Sequence, residues 1–417
     1  MGMFELLRRE PRFIAFGFMY TFGSSAGQTF FISVFVPSIA TAMALNDAEF
    51  SFIYAGATIA SALVLPLLGK FIDRTDLFHY GAIVGVGLTL ACFFTALATG
   101  PLMLIAGIFL LRLFGQGLMS HTAITAAARW FGRDRGKALA LTSLGHAMGE
   151  GLLPVTAVAL IALVGWRFSF MASGILLGLL AAGTALYWIR AQADFRRPFQ
   201  KDGAKAASGD APGILSIPWF WANLPLYIAS PMILTALIFH QGAIAEDLGK
   251  TLELFAASFV IFAAVRVPGS LVGGPLIDRF SARFLMPIHL VPAIAGILVL
   301  IFWHSTLAVL IYMALAGFTN GLGGTIRQAV IAELVPAETL GAARSLTSSM
   351  MVLSTAAGPA IYGVLLTGLG FLPQTGAVGL LWISALYFAG SSLVGAAANR
   401  FLPAGIADEE EAPLTPS

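Results

Sequence analysis

Four ionisable side chains lie inside long apolar stretches of this sequence: Arg112, Glu150, Arg266 and Arg327. On insertion scales, each costs about 2.5–3.5 kcal/mol at the centre of a helix in lipid. Four of them left without partners would cost on the order of 10 kcal/mol. Three cations with a single carboxylate in such an environment indicate a site that receives an anion.

Arg112 and Glu150 are predicted to be partners near the middle of a membrane. Each lies about eleven or twelve residues from the start of its own apolar stretch, counted from opposite faces. His146 is one helical turn from Glu150 and shares its face. These residues predict a proton-coupling site at Glu150 and His146, in which the carboxylate takes up a proton when Arg112 is withdrawn. A permanent ion pair that only fixes helix packing is the alternative.

The substrate-binding prediction centres on Arg266, about fourteen residues into its own apolar stretch. A guanidinium group can hold a carboxylate through two hydrogen bonds, which an ammonium group cannot. Arg327 shares a helical stripe with Asn320 but lies nearer the cytoplasmic end, so a gating role competes with substrate contact. The predicted substrate-binding set is Arg266, Arg112, Gln28, Tyr227 and Asn320.

The histidine and cysteine residues give weaker evidence about function than the three arginines and Glu150 do. His121 lies nine residues beyond Arg112, about half a turn away in azimuth, so we expect it to be packed or hydrogen-bonded. Whether His121 and His240 line a cavity stays open. The single cysteine, Cys92, cannot form an intrachain disulfide. No catalytic, metal-binding or nucleotide-binding motif lies in a plausible context, so we expect no enzyme activity, no metal and no cofactor.

The elements that must position these residues are apolar almost throughout. The sequence is 58% hydrophobic and 11% charged, against roughly 25% charged residues in a soluble domain. Apolar segments of about 17–25 residues cross a bilayer as helices. We therefore predict an all-α membrane protein with twelve transmembrane helices. They lie near 13–43, 50–72, 80–99, 101–131, 138–163, 167–190, 218–245, 252–277, 284–303, 306–334, 342–367 and 378–401.

A repeated pattern divides the chain into halves. Its glycine, aspartate and arginine recur 205 residues apart, as Gly69, Asp73 and Arg74 and as Gly274, Asp278 and Arg279. The recurrence predicts two pseudo-symmetric six-helix bundles in a monomer, with the functional site where the halves meet. The predicted domains are a first bundle at 1–190, a cytoplasmic linker at 191–217, a second bundle at 218–403 and a disordered acidic tail at 404–417.

Basic residues fix the predicted orientation. If both termini are cytoplasmic, eighteen Lys and Arg residues lie in internal segments, whereas only Arg167 and Lys250 lie outside. This asymmetry follows the positive-inside rule. We therefore expect both termini in the cytoplasm and a multi-pass protein of the cytoplasmic membrane.

The repeated loop resembles the signature loop of the major facilitator superfamily, in which a glycine, three further residues, an aspartate and an arginine join two spans at the cytoplasmic face. The resemblance covers essentially the whole chain, since span number, loop position, duplication and orientation agree. It implies a gating role for both copies of the motif, to which we add Arg327. The gating set is Gly69, Asp73, Arg74, Gly274, Asp278, Arg279 and Arg327.

Two further features resemble bacterial relatives of the monocarboxylate and oxalate–formate carriers in that superfamily. The basic, aromatic segment 129–140 looks like their loop between spans four and five, and Arg266 resembles the span-eight arginine that anchors a substrate carboxylate. The chain departs from these carriers at Phe262, where animal members have aspartate, and it has no lysine in span eleven. The second departure argues against a dicarboxylate held between two cations.

The combined prediction is a symporter that moves a small organic anion, a monocarboxylate, with protons by alternating access of the two halves. Its expected partners are the anion, protons and membrane lipid, and no nucleic acid is expected. A proton-coupled exporter of drugs or other amphipathic compounds is the main alternative. A membrane enzyme or receptor would need convergent catalytic ligands or a folded extramembrane domain, and the sequence shows neither.

Overall fold

The computed structural model describes residues 3–131, 134–185, 214–368 and 375–401. All regular structure within these ranges is helical, with no strand, which confirms the predicted all-α class. The predicted linker at 191–217 lies outside the described residues up to position 213, and the predicted tail at 404–417 lies wholly outside them.

The α-helices follow one another in chain order. They are α1 (Met3–Arg9), α2 (Pro11–Gly23), α3 (Thr29–Ile32), α4 (Val36–Met43), α5 (Asp47–Gly69), α6 (Leu77–Ala96), α7 (Pro101–Leu110), α8 (Ser120–Trp130), α9 (Arg135–Ser173), α10 (Leu180–Thr184), α11 (Pro218–Phe239), α12 (Gln241–Asp247), α13 (Leu252–Phe280), α14 (Ala282–Leu285), α15 (Val291–Phe302), α16 (Thr306–Leu334), α17 (Ala337–Thr367) and α18 (Ala377–Phe401). The described residues include π-helical segments at Leu111–Met119 and Gly174–Leu179.

Nine helical runs within the described ranges are long and apolar enough to cross a membrane. A tenth candidate is a bent pair, Pro11–Gly27 with Thr29–Met43, whose two parts differ in direction by 49°. The apolar helix α15 is shorter than these runs. The count of twelve spans and the cytoplasmic termini stay predictions.

Local sequence signals explain several helix starts. Asn46 and Glu49 form a capping box before α5, with each side chain accepting a 2.9 Å hydrogen bond from the other's backbone nitrogen. The Asp76 side chain accepts from the His79 nitrogen at the start of α6. Such bonds satisfy the backbone N–H groups that a helix start leaves without intrahelical partners.

Glycine divides the longest apolar run. Gly165 lies inside α9 with non-helical angles (φ 77°, ψ 162°), a left-handed conformation that side-chain-bearing residues rarely adopt. The run Arg135–Thr184 therefore changes direction there, between the two spans predicted at 138–163 and 167–190.

The chain forms two compact units that do not follow chain order. Unit 1 comprises Met1–Gly203, Ile238–Val260 and Pro359–Leu369, and unit 2 comprises Ala204–Leu237, Ile261–Gly358 and Gly370–Ser417. Unit 1 thus includes the end of α11, all of α12, the start of α13 and the end of α17. The predicted domain boundaries stay predictions.

Large apolar side chains lie on the outer surfaces of the helices. Leu63 is 72% exposed, Leu163 79% and Phe302 70%. Side chains of this kind, repeated along most of the long helices, suit a lipid environment because hydrocarbon solvates them without cost. Among the described residues, the buried charged side chains are Arg112, Glu150 and Arg327, and they define the candidate site.

Candidate functional site

In unit 1, a broken helix crosses a widened one. The 3-10 turn Ser24–Gly27 ends at Gln28, whose extended backbone (φ −87°, ψ 154°) separates it from α3. The 3-10 turn packs against the π-helical segment Leu111–Met119. π-Helical segments are rare in proteins overall, but those that occur often lie at functional sites. A Cβ built on Gly115 would lie 2.7 Å from the Gly27 nitrogen, so only glycine permits this approach. We call this contact the Gly27–Gly115 crossing.

Arg112 is held at this crossing and is 2% exposed. Its Nη1 donates a 3.1 Å hydrogen bond to the Gly27 carbonyl oxygen. The guanidinium carbon lies 5.2 Å from the centroid of the Tyr54 ring, within reach of cation–π attraction. Tyr54 is fixed in turn by a 2.6 Å hydrogen bond with Thr29. Arg112 therefore joins the broken helix to α5.

Glu150 lies on α9 in the same unit and is 5% exposed. Its neighbour Gly149 lets α9 approach the broken helix, because a Cβ there would collide with Ser25. His146 packs edge-on against Phe30, with 5.7 Å between the ring centroids. The two predicted coupling residues therefore lie beside the helix break. The ion pair of Glu150 with an arginine and the coupling role stay predictions.

Polar side chains tie unit 1 together where α11 ends and α12 begins. His240 Nε2 donates to the Pro359 carbonyl oxygen at 3.0 Å and lies 3.3 Å from Ser51 Oγ. Because a carbonyl oxygen only accepts, Nε2 carries the hydrogen. The adjacent Gln241 donates from Nε2 to Ser33 Oγ at 2.8 Å. We call these bonds the His240 latch.

A cavity of about 560 Å³ lies beside the latch within unit 1. Its lining includes His240, the carboxylates Asp47 and Glu246, and Lys250. Its volume falls in the range of about 300–1,000 Å³ that small-molecule sites occupy. His240, whose position the sequence left open, thus lines a cavity.

The polar cluster of unit 2 centres on Arg327 in α16. Arg327 is 5% exposed, and its Nε and Nη1 have no hydrogen-bond partner among the described residues. His289 lies between α14 and α15 and is 1% exposed. Its Nδ1–H donates to the Met286 carbonyl oxygen, which leaves Nε2 of the neutral ring as an acceptor. That Nε2 also has no partner in the described part of the chain.

Gly323 shows how closely these two groups approach. A Cβ built on Gly323 would lie 2.9 Å from Arg327 Nη1 and 3.0 Å from His289 Nε2. A donor and an acceptor therefore face one small space beside a glycine. We call it the Arg327–His289 site.

Three residues of the predicted substrate-binding set belong to unit 2. Tyr227 of α11 is 3% exposed, and both Tyr227 and Arg266 of α13 lie within electrostatic range of Arg327. Asn320 lies on α16 and is partly exposed. The other two members of the set, Gln28 and Arg112, lie in unit 1. The substrate-binding roles stay predictions.

The two copies of the repeated motif differ in packing. The first turns through the 3-10 segment Lys70–Asp73, and a Cβ built on Gly69 would lie 3.3 Å from His121 Nε2. The second continues within α13, and a Cβ built on Gly274 would meet nothing within 4 Å. The exposed charged residues of the motif are Arg74, Asp278 and Arg279. Their gating role stays a prediction.

Sequence reasoning missed His289 and the His240 latch partners. The signal that singles out the arginines, an ionisable residue in an apolar stretch, applies equally to His289 in the span predicted at 284–303. Ser33 and Gln241 carry no such signal, because small polar side chains are common in apolar helices and no spacing connects the two.

Comparison with known proteins identifies similar chains among transporters. A family model described as the Major Facilitator Superfamily matches residues 17–242 and again residues 224–415. The MFS transporter asaE of Aspergillus flavus is 26% identical over 234 residues, which are 54% of this chain and 50% of that protein. The efflux pump radE of Floropilus chiversii is 32% identical over 128 residues, 31% of this chain and 23% of that protein. The chain thus spans half or less of these two relatives.

A solved structure has a similar fold. It is a bacterial homolog of the human lysosomal transporter Spinster, in an inward-facing and occupied conformation. The TM-score is 0.73 at 16% sequence identity, covering 94% of this chain and 97% of that chain. At this identity the likeness shows the fold alone.

Proposed function

Since the chain belongs to the major facilitator superfamily, we propose that it is a secondary active transporter of a small organic anion, a monocarboxylate, and works by alternating access. Family membership and the apolar helices make it a multi-pass membrane transporter rather than an enzyme. The anion, the proton and the residues that carry them are the proposed part.

The burial of guanidinium groups carries the anion proposal. Arg112 is 2% exposed and Arg327 5%, and a buried cation with unsatisfied donors is costly unless an anion meets it. We assign the main charge for the substrate carboxylate to Arg266, with Arg112 as a second cation. The neutral polar contacts assigned to the substrate are Gln28, Tyr227 and Asn320.

Proton coupling is assigned to Glu150. When an incoming anion recruits Arg112, the Glu150 carboxylate loses a cationic neighbour and takes up a proton. The position of Glu150 beside the helix break supports this exchange, because Arg112 is bound to a carbonyl of the same broken helix. His146, one turn from Glu150, relays the proton near neutral pH.

Alternating access needs a closure at each face. The His240 latch supplies polar bonds at the end that we predict to be external, and the two motif copies lie at the end predicted to be cytoplasmic. We assign gating to both.

Uptake of radiolabelled organic acids into proteoliposomes tests the proposal. A proton gradient is expected to drive accumulation of at least one monocarboxylate, and Arg266→Lys is expected to lose most of it while inserting normally. Glu150→Gln mimics the protonated acid, so it is expected to lose proton-driven accumulation but to keep counterflow exchange. If no acid is transported under either direction of the gradient, the substrate class is wrong. If Glu150→Gln accumulates normally, the coupling role is wrong.

An exporter of amphipathic compounds is the second candidate, and the name of one relative favours it, since radE is an efflux pump. In energised inverted vesicles, such an exporter would take up a fluorescent amphipathic dye such as Hoechst 33342. Dye uptake without transport of any organic acid would select this function over the first.

A further inference from the structure

We propose that the Arg327–His289 site binds the acidic group of the transported molecule together with one O–H hydrogen. The identity of the biological ligand rests on the proposed function. The site itself rests on side-chain atoms of unit 2, and it gives Arg327 a binding role in place of the gate that its linear position suggests.

The charge at this site calls for an anion. Arg327 forms no ion pair with any described carboxylate, and the charged group that acts on it is Arg266, which has the same sign. Tyr227, the other side chain within electrostatic range, is a neutral phenol near pH 7 and does not compensate this charge. A buried charge with unsatisfied donors is stabilised most by an oxyanion, because charge-assisted hydrogen bonds are about twice as strong as neutral ones.

His289 adds a second requirement to the ligand. Its Nδ1–H is already used by Met286, so Nε2 needs a hydrogen from the ligand. A bare carboxylate would satisfy Arg327 and leave that acceptor buried and unpaired, which costs about 1–3 kcal/mol. A group that offers both an acceptor oxygen and an O–H hydrogen satisfies both side chains. A hydroxyl next to a carboxylate supplies that hydrogen and keeps the negative charge that Arg327 calls for.

Glycine at position 323 keeps the space between the two groups open. A methyl group there would lie 2.6 Å from His289 Cδ2 and 2.9 Å from Arg327 Nη1, so it would either fill the space or displace the ring. At the next residue, Gly324, an added methyl would meet nothing within 4 Å. The two neighbouring glycines of α16 therefore form a matched pair, one expected to close the site and one not.

An ordered water also accepts from one group and donates to another, and it is the competing occupant. A water leaves the charge of Arg327 uncompensated, whereas a carboxylate neutralises it. Small neutral and acidic probes of one size separate these outcomes.

The test measures thermal unfolding of the purified full-length protein in detergent against rising concentrations of acetate, glycolate or acetamide. A ligand that binds only the folded state raises the unfolding temperature by an amount that grows with the logarithm of its concentration divided by its Kd. We expect acetate or glycolate to stabilise the wild type and acetamide not to. Gly323→Ala is expected to weaken that binding about tenfold or more, and Gly324→Ala to leave it within about twofold of wild type.

The probes also test the required hydrogen. Glycolate, which carries a hydroxyl next to its carboxylate, is expected to bind about tenfold tighter than acetate. Equal binding would show that His289 takes no hydrogen from the ligand and would overturn that part of the proposal. His289→Asn keeps a donor for Met286 but removes the Nε2 acceptor, so it is expected to abolish the preference for an O–H-bearing ligand. If Gly323→Ala does not fold, His289→Asn still tests the site.

Three results would overturn the site: stabilisation by acetamide equal to that by the acids, no stabilisation of the wild type by either acid, or equal behaviour of Gly323→Ala and Gly324→Ala. Each can occur while proteoliposomes still transport organic acids, which would leave the proposed function standing. Acid binding that depends on Gly323, without transport of any acid, would instead keep the site and remove the proposed function.

Discussion

Arg112 and Arg327 are almost equally buried, at 2% and 5% exposed, but their surroundings differ. Arg112 donates from Nη1 to the Gly27 carbonyl oxygen and lies over the Tyr54 ring, and its Nε alone has no partner among the described residues. Arg327 has two nitrogen atoms without partners and an arginine within electrostatic range. One guanidinium is held by the backbone and an aromatic ring of its own unit, while the other has donors ready for something else.

The difference separates two reasons for keeping a costly charge in a membrane. A partnered guanidinium can fix the geometry of a helix break, since it satisfies a carbonyl at the end of a helical turn. A guanidinium with unsatisfied donors adds nothing to folding that an apolar residue would not exceed. In unit 1, Arg112 satisfies a backbone carbonyl oxygen at the crossing, and its substrate-binding role stays a prediction.

The largest effect that we expect is the loss of transport in a variant of Arg327, which tests the contrast between the two arginines directly. Arg327→Met removes a buried cation whose loss leaves no protein acceptor unsatisfied, so the unfolding temperature should stay equal or rise. Transport of the accepted organic acid should fall roughly 100-fold, which corresponds to about 2.8 kcal/mol. Initial uptake rates in proteoliposomes, normalised to inserted protein, measure the first effect, and thermal unfolding in detergent measures the second.

Arg112→Met is the counterpart to that variant. It leaves the Gly27 carbonyl oxygen without its donor, at a cost of about 1–3 kcal/mol, so its unfolding temperature should drop. A stable Arg112→Met protein that has lost transport would reverse the comparison, because Arg112 would then act in substrate binding, as the sequence predicts, rather than in folding. A destabilised Arg327→Met protein would show that Arg327 has a structural partner.

Part of this contrast was predictable from the sequence. An ionisable residue inside an apolar stretch predicts burial near a membrane midplane. Arg112, Glu150 and Arg327 are buried, whereas Arg266 is partly exposed. The gate assigned to Arg327 came from linear distance to the end of its stretch. Distance along one helix says nothing about what another element brings to it, and His289 reaches Gly323 from a turn more than thirty residues earlier.

The helix break was not predictable in the same way. The stretch at 13–43 is predicted as one span, although Ser24, Ser25 and Gln28 interrupt its apolar residues, and Gln28 has an extended backbone. The break depends on tertiary contact at the Gly27–Gly115 crossing, and a π-helical segment has no period that a single sequence reveals. The glycines were visible, but the same residues also serve ordinary helix packing.

Gly115→Ala tests whether unit 1 depends on the crossing. The new Cβ would lie 2.7 Å from the Gly27 nitrogen and 2.8 Å from its Cα, and backbone atoms cannot turn away as a side chain can. We expect destabilisation of about 1–3 kcal/mol, as for other overpacked interiors. Thermal unfolding measures it, with Gly56→Ala as control, because a Cβ at Gly56 meets nothing within 4 Å. Equal unfolding temperatures for both variants would mean that the crossing is not tight.

The smallest effect that we expect concerns the two copies of the repeated motif. It tests whether the copy in unit 1 is tightly packed and the copy in unit 2 is open, as the surroundings of the two arginines are. Gly69→Ala places a methyl 3.3 Å from His121 Nε2, whereas Gly274→Ala meets nothing within 4 Å. Alanine favours a helix over glycine by roughly 0.5–1 kcal/mol, so Gly274→Ala should be slightly stabilising. Gly69→Ala should recover less than that, because the His121 ring must shift by a few tenths of an ångström.

A double-mutant cycle isolates this contact, since the two glycines occupy different positions in their helices. In a His121→Ala background, Gly69→Ala should regain the full stabilisation that Gly274→Ala shows. The difference between the effects of Gly69→Ala on stability in the two backgrounds, with and without His121, is the coupling energy of the contact. Thermal unfolding and initial uptake rates are both measured. If His121→Ala changes nothing, the first copy of the motif is as open as the second, and the contrast between the units stops at the buried arginines. If His121→Ala changes the uptake rate but not the unfolding temperature, the contact acts on gating rather than on folding.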